Sequence, residues 1–138
     1  IIYDVDNTLV EHGMPADERA MALFEKLRQI GFQTVLLSNN KEPRVKGFAE
    51  QVDSRYIFKA NKPSKSGYER AMELMGTTKE TTLFVGDQLF TDTLGGNVVG
   101  VKTILLTPIK PETSLRFRMK RRVEAFMIKK LKIVNTEE

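Results

Sequence analysis

Ile1-Ile2-Tyr3-Asp4-Val5-Asp6-Asn7-Thr8 is the stretch on which the fold turns. Its first three residues are wholly apolar, the pattern of a strand covered on both faces of a parallel sheet. That run ends at Asp4, and a second carboxylate, Asp6, follows two positions on. Residues two apart share a face of an extended strand, and at a strand end the chain can direct both into one pocket. Carboxylates so close repel unless a cation lies between them. Taken alone, the pair fits a turn cap equally well. The chain starts abruptly on this apolar run, and native residues upstream of Ile1 are expected.

The same apolar-run-then-polar pattern recurs downstream. Met14-Pro15-Ala16-Asp17 reads as a helix start with Pro15 near the first turn. Ala20, Leu23, Phe24, Leu27 and Ile30 then recur at helical spacing up to Gly31. Thr34-Val35-Leu36-Leu37 predicts a second strand, residues 43–51 a helix, and Tyr56-Ile57-Phe58 a third strand. A helix is predicted over 65–75, strands over 82–86 and 102–106, and a short helix over 91–98. Strands alternating with helices imply βαβ units. Right-handed crossovers then cover both sheet faces. The predicted fold class is α/β, a three-layer α/β/α Rossmann-like sandwich on a five-stranded parallel sheet. A boundary is expected at residues 107–111, dividing a core over 1–109 from a basic segment over 110–138.

Composition narrows the field. A chain of 138 residues suits one core. With 41% hydrophobic and 29% charged residues it reads as a globular rather than a disordered chain. The absence of cysteine rules out disulfides, thiolate nucleophiles and Cys-ligated zinc. No apolar run approaches the roughly 18 residues of a membrane span, and no signal peptide is visible. The expected location is cytoplasmic. Residues 1–109 carry 13 Lys/Arg and 14 Asp/Glu, whereas 110–138 carry 9 and 4, so the net charge of +4 belongs to the C-terminal segment.

Four features fall just after predicted strands: Asp4 with Asp6, Ser38-Asn39-Asn40, Lys62-Pro63, and Gly86-Asp87 with Asp92. In a parallel sheet, ligands bind outside the carboxyl ends of the strands, so these points converge on one edge. Asp87 adds a third carboxylate. Oxygen donors without cysteine or histidine suit a hard cation, Mg²⁺ first. The Ser38 hydroxyl and the amides after it suit a phosphate oxygen, as helix N-termini do. Lys62 suits neutralisation of a phosphoryl group. Alone, Ser38 would read as a cap and Lys62 as a surface lysine. The ordered set argues otherwise.

With those residues in place, the sequence resembles the haloacid dehalogenase superfamily of phosphohydrolases. Asp4-Val5-Asp6-Asn7-Thr8 matches its first motif, DxDxT, Ser38 its second and Lys62 its third. Gly86-Asp87-Gln88-Leu89-Phe90-Thr91-Asp92 matches its fourth, GDxxxxD. The likeness spans residues 1 to about 106. It implies that Asp4 is the nucleophile that becomes an aspartyl phosphate, and that Asp6 is the general acid and then base. It implies that Ser38 and the Asn39 amide hold phosphoryl oxygens and that Lys62 offsets charge. Asp4, the Asp6 carbonyl and Asp87 would bind Mg²⁺, with Asp92 supporting the metal or Lys62. A receiver domain also joins a parallel sheet to clustered aspartates and a lysine, but it would not explain Asp4-x-Asp6-x-Thr8.

About 30 residues separate Asp6 from Ser38 and 23 separate Ser38 from Lys62, so no cap domain fits in either gap. An open site suits a large or membrane-bound substrate, or a homo-oligomer that covers it. Within the capless group, Ser38-Asn39-Asn40, Lys62-Pro63, Gly86-Asp87-Gln88 and Leu94-Gly95-Gly96-Asn97 look most like the class IIIA phosphatidylglycerophosphatase-like branch. Arg44, just after the second motif, is positioned for a head-group phosphate or is a surface arginine.

In the C-terminal segment Met119, Val123, Phe126, Met127 and Leu131 form one helical stripe, with Lys120, Arg121, Arg122, Lys129, Lys130 and Lys132 largely elsewhere. That pattern suits peripheral contact with an anionic membrane, on its inner face. Packing on the core is the competing reading. Nucleic acid is disfavoured, as no aromatic-interleaved basic patch is present. Three functions therefore stand: a lipid phosphate monoesterase, a phosphatase of sugar phosphates, nucleotides or phosphoproteins, and a non-catalytic binding module.

Overall fold

Five short strands share the sheet, and the shortest lies at its centre. In the computed structural model, which describes residues 1–110 and 115–130 (side chains over 119–127 in the second stretch), β1 is Ile2–Tyr3. It is flanked by β2 (Val35–Leu37) and β4 (Leu83–Gly86). β3 (Arg55–Ile57) and β5 (Lys102–Leu105) complete the order β3-β2-β1-β4-β5, all parallel. Ile2 is in register with Val35 on one side and Phe84 on the other. The five-stranded parallel sheet expected from the sequence is present.

Side-chain alternation along the strands divides the core in two. Tyr3, Leu36 and Val85 point to one face. There they meet Phe24 and Leu27 of α1 (Glu18–Ile30) and Val45, Phe48 and Val52 of α2 (Glu42–Val52). Ile2, Val35, Leu37 and Phe84 point to the other. They meet Tyr68, Ala71 and Met75 of α3 (Lys65–Met75). Each fully buried aromatic or aliphatic side chain here contributes about 1.5–3 kcal/mol, and that burial holds strands of two to four residues in register.

Between Asp6 and Ser38 the chain makes a loop, α1 and β2, and between Ser38 and Lys62 it makes α2 and β3. No cap domain is inserted in either stretch. Asp4, Ser38 and Asp87 each directly follow a strand, and Lys62 follows β3 by a short loop, so all four lie along one sheet edge.

Two elements start more than one residue from where the sequence suggests. α1 begins at Glu18, with Asp17 as its N-cap accepting the Ala20 N–H on Oδ1 at 2.8 Å, and Pro15 precedes the cap. Asp17 supplies the acceptor that Pro15 lacks, and that sets the boundary. The single helix expected over 91–98 is a π-helical turn, Leu89–Thr93, followed by α4 (Leu94–Val99). The Tyr68 hydroxyl lies 2.7 Å from the Thr91 carbonyl and 3.1 Å from that of Asp92, supplying a donor where the turn widens.

α5 (Leu115–Lys130) falls in the basic segment. Met119, Val123 and Phe126 of its expected stripe are exposed, whereas Glu124 is buried. Leu131 lies outside the described residues. Among the described residues, no helix is long and apolar enough to cross a membrane.

Candidate active site

β1 delivers Asp4 to the sheet edge with its carboxylate buried. Asp4 Oδ1 accepts from Lys62 Nζ at 2.8 Å, and Oδ2 accepts from the Thr8 hydroxyl at 3.1 Å. That hydroxyl also lies 3.3 Å from Asp87 Oδ1. Lys62 Nζ donates a second bond, of 2.6 Å, to Asp92 Oδ1, so one buried ammonium bridges two buried carboxylates. The same ammonium stands 5.6 Å from the centre of the Phe84 ring. Asp92 is held in turn by the Gln88 N–H on Oδ2 at 3.1 Å. A Cβ at Gly86 would overlap that carboxylate, which is why glycine precedes Asp87.

Asp4, Asp87 and Asp92 each offer a carboxylate oxygen within 4.8 Å of the others. Burial pushes all three carboxyls up from the usual range. Lys62 opposes the shift at Asp4, and Arg121 opposes it at Asp87. At Asp92 the charge of Asp4 adds to burial, with Lys62 opposing. Burial alone would pull Lys62 down, but Asp4 and Asp92 outweigh it and hold its ammonium above the ordinary lysine range. Three buried carboxylates thus face two cationic side chains. This excess of hard oxygen donors, without nitrogen or sulfur, fits a hard divalent cation.

Asp6 is turned differently. Its Oδ1 accepts from the Gly13 N–H at 2.7 Å and Arg44 Nη2 at 2.8 Å, and its Oδ2 accepts from Asn40 Nδ2 at 2.6 Å. The Asp6 carboxylate therefore stands apart from the acidic trio, and its share in a cation would fall to the backbone carbonyl. Asp4 and Asp6 line the same cleft, of ≈ 180 Å³, together with Ser38, Asn39 and Lys62. His12, Asn40, Gln88 and Thr91 complete its walls.

The second motif is built by one local bond and two to the lysine loop. Ser38 Oγ accepts the Asn40 N–H at 3.2 Å. The Asn39 side chain accepts the Lys62 N–H at 2.7 Å and donates to the Lys62 carbonyl at 3.2 Å, fastening the lysine loop to the sheet edge. That role of the Asn39 side chain is not legible in the sequence, where only its backbone amide stood out. Nor is that of Asn40, or of Arg121, whose guanidinium pairs with the Asp87 carboxylate. Arg121 sits in a cationic run whose pattern in the sequence suits contact with an anionic membrane. Arg44 did draw attention in the sequence, but as a head-group contact or a surface arginine; in the structure it holds Asp6 and lies 5.6 Å over the Phe48 ring.

Comparison with known proteins adds an independent line. A family model described as haloacid dehalogenase-like hydrolase matches residues 10–100, a stretch that holds Ser38, Lys62, Asp87 and Asp92. The chain is 41% identical over 133 residues to a Bacillus subtilis (strain 168) protein named probable phosphatase YqeG, spanning 96% of this chain and 77% of that protein. Among solved structures it is similar to the cobalt-bound deoxy-D-mannose-octulosonate 8-phosphate phosphatase of Haemophilus influenzae, with a TM-score of 0.62 at 18% identity over 78% of this chain and 69% of that one. An uncharacterized protein from Listeria monocytogenes serotype 4b gives a TM-score of 0.61 at 18% identity, over 82% of this chain and 83% of that one. At such identities the two structures speak to the fold alone.

Proposed function

The chain belongs to the haloacid dehalogenase-like hydrolases, and we propose that it hydrolyses phosphomonoesters through an aspartyl phosphate on Asp4. The observation that carries this reading is the Lys62 ammonium bridging Asp4 and Asp92 in a buried acidic cluster at the sheet edge. A carboxylate is a weak nucleophile unless it is oriented and its electrostatics are balanced. Here Lys62 and Thr8 fix both Asp4 oxygens.

In the first step an Asp4 oxygen forms a bond to phosphorus as the ester P–O bond breaks, and Asp6 gives its proton to the leaving alkoxide. In the second, Asp6 takes a proton from water. The water oxygen bonds to phosphorus, and inorganic phosphate leaves with Asp4 restored. The Ser38 hydroxyl and Asn39 amide hold phosphoryl oxygens, and Lys62 balances their charge. Asp4, Asp87 and the Asp6 carbonyl would hold Mg²⁺, which when bound offsets the charge of the phosphoryl group.

For the substrate we favour a membrane lipid monoester of the phosphatidylglycerophosphate type, handled at the inner face of the membrane. Three features support it: the uncapped cleft, the cationic side chains along α5, and the likeness of residues 38–40, 62–63 and 86–97 to the class IIIA branch. The deciding experiment is an ester panel with Mg²⁺ that sets phosphatidylglycerophosphate against sugar phosphates, nucleotides and phosphopeptides. Preferential release of phosphate from the lipid is expected. Selective turnover of a soluble ester would overturn the lipid assignment while leaving the chemistry at Asp4 in place.

A further inference from the structure

Arg121 reaches the fourth motif from an element that none of the steps above requires. Its Nη2 pairs with Asp87 Oδ2, and its Nη1 donates to the Asp87 backbone carbonyl. Nη1 also lies 3.3 Å from Glu124 Oε2, and Glu124 Oε1 accepts the Phe90 N–H at 3.4 Å. One residue before Arg121, Lys120 Nζ donates to Gln88 Oε1 at 2.8 Å. α5 therefore grips residues 87, 88 and 90 of one turn. Glu124 is the sole acidic residue of α5, and it is 2% exposed. A buried carboxylate is costly unless it is bonded, and this one is bonded to the turn and to Arg121. The grip is thus a specific contact rather than a cationic helix lying loosely on an acidic rim.

Its target is the carboxylate that, on the reading given above, helps hold the divalent cation. A guanidinium and a divalent cation at the same carboxylate repel each other and draw on the same oxygen lone pairs. Beside Arg121 lies a second cavity of ≈ 150 Å³, walled by Leu105, Leu106, Pro108, Glu124 and Ala125, which gives the side chain space to withdraw from Asp87. We infer that Arg121 competes with the cation for Asp87, so that the docking of α5 sets the cation affinity of the site. An event that lifts α5 raises that affinity.

The inference rests on the cation reading of Asp4 and Asp87, and the test separates the two. Mg²⁺ is titrated calorimetrically into the full chain, native and Arg121→Gln, a change that removes the charge but keeps a hydrogen-bonding amide. Arg121→Gln is expected to bind Mg²⁺ roughly tenfold tighter, within the usual range for coupled sites. Melting gives a readout independent of turnover. Without Mg²⁺ the variant melts below the native protein, because Asp87 has lost its partner, and MgCl₂ raises its melting temperature by more than that of the native protein. Should Arg121→Gln fail to fold, Arg121→Met, which removes the charge and keeps the length of the side chain, is titrated instead and again binds Mg²⁺ more tightly. Equal or weaker Mg²⁺ binding by the variant, beside a native protein that binds, overturns the competition and leaves the cation site standing. Failure of native and Arg121→Gln proteins alike to bind Mg²⁺ overturns the cation site itself, and the inference with it.

Discussion

Lys62 is the residue on which the site depends, because its ammonium is buried between two buried carboxylates. Removing one partner of a buried ion pair typically costs about 3–5 kcal/mol, since it leaves charge without compensation. Lys62→Ala is therefore expected to lose stability of that order in urea unfolding, in addition to activity. Arg44 acts on a different atom. Its bond to Asp6 Oδ1 fixes the carboxylate proposed as the acid–base group and not the proposed nucleophile. Arg44→Ala should lower kcat more than it changes KM, and Arg44→Lys should recover part of the loss. A dominant change in KM would instead favour the head-group role expected from the sequence. Asp4, Asp6, Ser38, Lys62 and Asp87 were legible because each closes or follows an apolar run, a local pattern. Asn40 and Arg121 were not. Their partners lie 34 residues away in each case, and a polar contact at that separation leaves no periodic trace.

At the scale of elements, the strands and the long helices were readable from hydrophobic spacing, and the helix over 65–75 has those bounds in the structure. The turn after Asp87 was not, because a π-helical turn has the composition of an ordinary helix start. Its form is set by tertiary packing instead. Gly95 lets α4 press against Tyr68, and a Cβ there would overlap the tyrosine ring. Gly95→Ala is expected to cost about 1–3 kcal/mol, as overpacking does, and to displace the turn that carries Asp92. A melting curve for Gly95→Ala that matches the native one would show that Tyr68 yields freely. The α1 boundary teaches a similar lesson. Asp17→Ala should remove about 1 kcal/mol of capping, whereas a change at Pro15, ahead of the cap, should remove less.

Across the whole molecule, charge and shape divide the labour. The sheet edge gathers the acidic cluster, and α5 brings basic side chains to its rim. If the lipid reading holds, the full chain should sediment with anionic vesicles and be released as salt rises, since exposed charges are screened within about 10 Å at 0.1 M. A chain ending at residue 110 should bind vesicles less while still hydrolysing a small soluble ester. The fold and the sheet-edge location of the site followed from the alternation of apolar runs and helices. The contact between the basic segment and the fourth motif did not, because amphipathicity describes one helix and not what it docks against.

Every step proposed for the reaction depends on Asp4 as the group that takes the phosphoryl. The measurement that reaches it is peptide mass mapping after rapid acid quench during turnover of a small phosphomonoester with Mg²⁺, on the native protein and on Asp4→Asn. One added phosphoryl group is expected on the peptide carrying Asp4, and neither adduct nor turnover in Asp4→Asn. An unmodified Asp4 peptide, together with turnover that survives in Asp4→Asn, would contradict that role for Asp4.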